Sequence, residues 1–232
     1  MKGQQLALSV ALTETATFGS FHAGPNTAAV NTLRELLAPG AGLALLLHGP
    51  SGSGKTHLSQ ALTAAAAEQN LATALLDFSQ PENCAAENLL GLEKKKLIVL
   101  DGLDHHALDE DFTLALLRLL DAVKSRSGNL LLTARKSGPQ LNFARPDLET
   151  RIAAAASYGL KPLSDEDRAR LLTLHAHERG LHLPDDVAHY LLRHLPRDVG
   201  SLMSAVKTLD AASLAQQRRL TIPFVQSVLL RA

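Results

Sequence analysis

Gly49-Pro50-Ser51-Gly52-Ser53-Gly54-Lys55-Thr56 is the stretch on which the reading of this chain turns. Its fixed positions follow the pattern GxxxxGK[ST], and it lies between an apolar run ending at Leu47 and a helical pattern that begins near Lys55. Glycines are needed in such a loop because backbone N–H groups must close around phosphate oxygens, in dihedrals that a Cβ obstructs. Lys55 then reaches the β and γ phosphates, Thr56 offers its hydroxyl to Mg²⁺, and the helix N-terminus adds its dipole. The expectation is a bound nucleotide, ADP or ATP with Mg²⁺, held by Gly49, Ser51, Gly52, Ser53, Gly54, Lys55 and Thr56.

Outward from this loop, short apolar runs alternate with helical patterns, which is the signature of a parallel sheet wrapped by helices. The runs are Leu43 to Leu47, Ala72 to Phe78, Leu97 to Leu100, Leu130 to Thr133 and Ala156 to Leu160. Between the third and fourth, Leu114, Leu117, Leu120 and Val123 recur at helical spacing. Five strands in an αβα sandwich are predicted. After Lys161-Pro162 the strand signals stop, and four helices follow. Ser164 reads as the N-cap of the first, with an acid three residues on. The others run from Pro184 to Leu195, from about Asp198 to Leu214, and from near Thr221-Ile222-Pro223.

Leu97-Ile98-Val99-Leu100-Asp101 reads as a buried strand ending in a carboxylate, which places Asp101 at the C-terminal edge of the sheet, beside the metal. Thr56 and Asp101 are therefore the candidate Mg²⁺ ligands. Gly102 follows, with no acid to polarise an attacking water; Asp104 could take that part only in a reshaped turn and is read instead as a solvated turn residue. Thr133 closes the fourth strand.

The chain has 232 residues, with 23 Lys plus Arg against 23 Asp plus Glu. Such a balance supplies no global positive field for holding a polyanion, and the tail from residue 162 carries nine basic and eight acidic residues. With no Trp and 3% aromatics, stacking platforms for single-stranded nucleic acid are also poorly supplied. Autonomous DNA binding is not expected. Cys84 is the single cysteine, the ten histidines form no recognisable ligand spacing, and no apolar run approaches the length of a membrane helix. Met1-Lys2-Gly3-Gln4-Gln5 lacks a signal core, so a soluble cytoplasmic protein with no membrane partner is expected.

Taken together, the loop, Asp101, the Thr133 strand end and the helical tail resemble the DnaA family of AAA+ ATPases. The resemblance is strongest to short members that inactivate the replication initiator. It rests on Gln140-Leu141-Asn142, on Pro146-Asp147-Leu148-Glu149-Thr150-Arg151, on Lys161 to Asp167 and on Gln217 to Val225, which agree in order and spacing. It implies an AAA+ P-loop NTPase domain over residues 13–161 and a four-helix lid over residues 162–232. Residues 1–12 would form a docking peptide for the β-subunit sliding clamp of the polymerase. In that peptide Gln5 would bond at the pocket rim, while Leu6, Leu8 and Val10 fill an apolar groove; β-strand alternation explains the same spacing.

The same resemblance implies that Arg151 is an arginine finger acting in trans on a partner's nucleotide and that Thr133 is a sensor. It further implies that Phe18 to Phe21, with Asn26, and His57 border the nucleotide. Gly200 stands where the lid usually supplies a sensing Arg, and Arg197 is either its substitute or an exposed helix-start residue. The implied function is negative regulation of replication initiation. An ADP-bound chain would stimulate hydrolysis of ATP held by DnaA, reach DNA only through the clamp, and work at the bacterial replisome or nucleoid. Two alternatives stay open, a helicase-loader-like ATPase and a non-catalytic adaptor between clamp and initiator, as does assembly into a homodimer.

Overall fold

The computed structural model describes residues 16–105, 109–141, 143, 145–196 and 199–229. Gln5, Leu6, Leu8, Val10 and Arg197 lie outside the described residues. The chain forms two compact units, one built from residues up to Gly49 and from Lys55–Leu160, the other from Lys161 onward together with Pro50–Gly54.

Five strands form one parallel sheet in the first unit: β1 (Ala44–His48), β2 (Thr73–Asp77), β3 (Leu97–Asp101), β4 (Asn129–Ala134) and β5 (Ala156–Gly159). Their spatial order is β2-β3-β4-β1-β5, so β1, carrying the Gly-rich loop, has β4 on one side and β5 on the other. The five predicted strands are all present. Strands buried on both faces read as continuous apolar runs, and β3 and β4 are buried at every position.

Alternate side chains of these strands enter two cores. Leu46, Leu76, Ile98, Leu100, Leu130 and Leu132 face the layer of α3 (Glu110–Ser125) and α4 (Pro146–Ala153), packing on Phe112, Leu116, Leu148 and Ile152. Leu45, Leu47, Leu75, Leu97, Val99 and Leu131 face α1 (Thr27–Glu35) and α2 (Lys55–Glu68), against Leu33, Leu58 and Leu62. This two-sided alternation is the αβα sandwich. Asn129, fully buried at the start of β4, offers its amide group to the carbonyls of Leu36 and Ala38 and accepts from the Leu43 N–H. It thereby ties the end of α1 to the approach into β1.

Among the described residues the second unit holds four helices, α5 (Asp165–Glu178), α6 (Asp185–His194), α7 (Val199–Gln216) and α8 (Ile222–Leu229). Ser164 caps α5 by accepting from the Asp167 N–H at 3.0 Å, and Thr221 accepts from the Phe224 N–H at the start of α8. Leu172, Ala176, Val187, Leu191, Leu202, Val206, Leu209, Phe224 and Val225 form a core of their own. Among the described residues no helix is long and apolar enough to cross a membrane.

Candidate nucleotide site

Parallel sheets open a crevice at the C-terminal ends of their strands, and the candidate residues of the first unit gather at that edge. Asp101 ends β3 and is only 4% exposed. Three hydroxyls donate to its carboxylate: Thr56 to Oδ2 at 2.7 Å, Ser59 to Oδ1 at 2.9 Å and Thr133 to Oδ1 at 2.6 Å. Thr133 in turn accepts from the Gly102 N–H at 2.8 Å, while the Leu103 N–H donates to the Thr133 carbonyl. The register of β3 on β4 sets this arrangement, since it brings the end of one strand beside the end of the other.

Ser59 has no place in the sequence motif. Its signal was the three-residue step from Thr56, which puts both hydroxyls on one face of α2. Both are spent on Asp101. An Asp101→Ala variant should therefore lose about 3 kcal/mol or more of stability, because it strips the acceptor from three donors, two of them fully buried. A chemical-denaturation midpoint within error of the wild type would contradict this account.

Lys55, at the first position of α2, donates to the Gly49 carbonyl at 2.7 Å. Burial holds its ammonium below the ordinary lysine range; the Asp101 and Asp104 carboxylates oppose that shift, and the Arg135 guanidinium adds to it. His48, at the end of β1, is likewise lowered from 6.5, first by burial and then by Lys55. The loop from Gly49 to Gly54 joins β1 to α2 as the motif predicts, and within it the Ser53 N–H donates to the Pro50 carbonyl at 3.3 Å. Gly52 and Gly54 have φ of 74° and 94°, values that L side chains rarely adopt. Such dihedrals are the reason a phosphate-binding loop needs glycine at these positions. Thr56 and Asp101 present hard oxygen donors within hydrogen-bond distance of each other, a pair that fits Mg²⁺ shared with phosphate oxygens.

The segment before α1 packs against α2. Phe18 and Phe21 join the core of that layer, Arg34 lies over the Phe18 ring at 5.1 Å, and the rings of Phe21 and His57 are 5.6 Å apart. His57 Nε2 sits 3.0 Å from the Thr17 carbonyl and 3.4 Å from the Ser20 hydroxyl, so its ring joins α2 to this segment. Asn26 is buried at the start of α1.

Asp104 is not the solvated turn residue that the sequence suggested. Its side chain is 18% exposed, and its Oδ2 accepts from the Arg135 N–H at 2.9 Å. The cause is long-range: β3 and β4 end side by side, so the turn after one meets the segment after the other. Arg151 stands apart from this cluster on α4, with Nε 3.0 Å from Asp121 of α3. That helix is anchored by buried Leu148 and Ile152, which leaves Arg151 on its outer face.

Comparison with known proteins adds two findings. Residues 165–229 match the family model described as the lid domain of Hda. The chain is also similar to domain III of the Thermotoga maritima replication initiation protein DnaA, at 18% identity and a TM-score of 0.77, over 93% of this chain and 96% of that one. AMPPCP-bound DnaA from Aquifex aeolicus gives 18% identity and a TM-score of 0.74, over 88% of this chain and 68% of that one. Aeropyrum pernix ORC1, solved in complex with DNA, gives 18% identity and 0.67, over 88% and 64%. At such identities these likenesses establish the fold, an AAA+ domain with a helical lid. Residues 165–229 are thus similar to the lid of Hda, on a chain whose fold is that of DnaA domain III.

Proposed function

We propose that this chain is a nucleotide-switched negative regulator of DNA replication initiation, acting on the ATP-bound initiator DnaA. The observation that carries the reading is an Hda-type lid on a DnaA-like fold that keeps its phosphate loop and the Asp101 cluster. DnaA structures with this fold were solved with the nucleotide analogue AMPPCP, which supports a nucleotide here.

ADP is the working ligand in this proposal. The loop backbone, Lys55 and Thr56 grip phosphates, while position 102 is glycine, so nothing there polarises a water for attack on a γ-phosphate. Bound Mg²⁺, held by the Thr56 hydroxyl and the Asp101 carboxylate, would supply charge neutralisation at the phosphates. Intrinsic turnover is slow. The chemistry happens in the partner's pocket, where Arg151 neutralises charge developing on the initiator's transferred phosphoryl group. Docking of Gln5, Leu6, Leu8 and Val10 on the sliding clamp confines the event to replicated DNA, and the protein works in the cytoplasm at the replisome.

The test is a reconstitution with DnaA carrying labelled ATP, DNA-loaded clamp and this chain. The initiator's ATP should be lost quickly only when all three are present, and the nucleotide released from the purified chain should be a diphosphate by mass spectrometry. Fast ATP turnover by the isolated chain, with no effect on the initiator, would replace this reading with that of a self-sufficient ATPase.

A further inference from the structure

We propose that Ser59 is a positioning residue for the metal half of the nucleotide site: with Thr133 it fills one oxygen of the Asp101 carboxylate, so that the other stays with Thr56 and keeps room for Mg²⁺. The inference rests on the reading of this site as one for a nucleotide with Mg²⁺, and adds to it a residue that the loop motif does not contain.

An ionised carboxylate offers about four lone pairs, two on each oxygen. At Asp101 the donors among the described residues are divided unequally. Oδ1 takes Ser59 at 2.9 Å and Thr133 at 2.6 Å, which occupies both of its sites, whereas Oδ2 takes Thr56 alone, at 2.7 Å. Thr56 gives its proton in that bond and keeps its own lone pairs. The two oxygens that retain acceptor capacity, Asp101 Oδ2 and Thr56 Oγ1, are therefore the two that face each other, and both are hard donors of the kind a divalent cation takes.

The two anchors of Oδ1 come from different layers. Thr133 lies in β4, and its hydroxyl also accepts from the Gly102 N–H at 2.8 Å, so it holds the carboxylate from within the sheet. Ser59 reaches the same oxygen from α2, three residues beyond Thr56. On Thr133 alone the carboxyl group could turn about a single bond, and a second donor from the helix fixes its plane. Because Ser59 and Thr56 share α2, Oδ2 stays in register with the Thr56 hydroxyl. A serine that only offset the burial of Asp101 could bond either oxygen, and Ser59 bonds the one that Thr56 does not.

A hydroxyl inside a helix has a nearer partner, the carbonyl four residues back. Thr32, Thr63, Thr150, Thr173 and Thr208 all return theirs to it, at 2.9–3.2 Å. Ser59 instead sends its hydroxyl out of the helix to Asp101, from a position that is 0% exposed. Alanine is the better helix former, and the neighbouring Leu58, Ala61 and Leu62 are apolar and buried. A hydroxyl at that depth costs free energy unless it is bonded, and the bond it makes is to the buried carboxylate of the site. Hydrogen-bonded support behind a metal-ligating carboxylate is the role this geometry fits.

The experiment is calorimetric titration of ADP into ligand-free wild type, Ser59→Ala, Ser59→Cys and Thr63→Ala, each with Mg²⁺ and with the metal chelated. The readout is the gain in ADP affinity that Mg²⁺ brings. Outer partners of metal ligands are worth about 10–100-fold in metal affinity, so Ser59→Ala should cut this gain about tenfold, with the metal-free Kd little changed. Ser59→Cys fills nearly the same space with a weaker donor and should show a loss of the same kind. Thr63→Ala removes a hydroxyl spent within α2 and should keep the full gain. A gain unchanged in Ser59→Ala, affinities that fall equally with and without Mg²⁺, or an equal loss in Thr63→Ala would each overturn the assignment. If the ADP affinity of wild type ignores Mg²⁺, the metal reading fails and the role of Ser59 with it. If wild type shows the gain and Ser59→Ala keeps it, the role of Ser59 alone falls.

Discussion

Lys55→Ala should yield a folded chain that has lost its nucleotide. The Lys55 ammonium is half-buried and donates to the Gly49 carbonyl of the loop. Burial already disfavours its charged form, so removing it relieves a desolvation cost of the unliganded fold that offsets the lost bond to Gly49 and the lost attraction to Asp101 and Asp104. The unfolding midpoint should shift little. Binding is another matter, because truncating one partner of a desolvated charge pair costs about 2–5 kcal/mol, and here the partner carries two or more phosphates. A loss of roughly a hundredfold or more in affinity for ADP is expected, measured by calorimetry on protein stripped of ligand. The same variant separates the switched regulator from a passive adaptor. A chain that folds, binds no nucleotide and still drives ATP loss from the initiator would leave the loop a structural element and end the switch.

The parts of this site that sequence made legible are those whose chemistry is local. The glycines, Lys55 and Thr56 sit within eight consecutive residues, and their geometry follows from one strand, one turn and one helix. Asp101 was legible because β3 is buried on both faces and so reads as an unbroken apolar run up to its charged end. Thr133 followed from the same logic on β4. Ser59 was not singled out, although the helical step from Thr56 would have found it.

Asp104 was misread for a different reason. Its surroundings depend on a residue thirty-one positions away, brought in by strand register and by a turn in which Gly102 has a positive φ. Spacing along the chain carries no trace of that meeting. Position 102 shows how the two kinds of information combine. The missing acid is visible in sequence, whereas the structure adds a φ of +82° at this position, a conformation L side chains rarely adopt.

Arg151→Ala should abolish stimulation of the initiator's ATPase and leave the rest of the protein as it was. In this structure the guanidinium is paired with Asp121, both side chains about half exposed, at 48% and 53%. Pairs of that kind contribute about 0–1 kcal/mol, so the variant should unfold within that margin of wild type. The same weakness lets Arg151 leave Asp121 for a phosphate at little cost. Meanwhile buried Leu148 and Ile152 keep α4 in place beneath it. An arginine supplied in trans to a transferring phosphoryl group accounts for roughly a thousandfold or more in rate. Loss of stimulation should therefore be near complete, with ADP affinity unchanged because the residue takes no part in its own chain's nucleotide cluster. Arg151→Lys keeps the charge but not the planar fork, and should recover only a small part of the rate. Asp121→Ala supplies the opposite control: it frees the guanidinium, and should leave stimulation at wild-type level or above. If Arg151→Ala stimulates like wild type, the residue is a surface ion pair on α4 and the chemistry in the partner's pocket must be driven by another group.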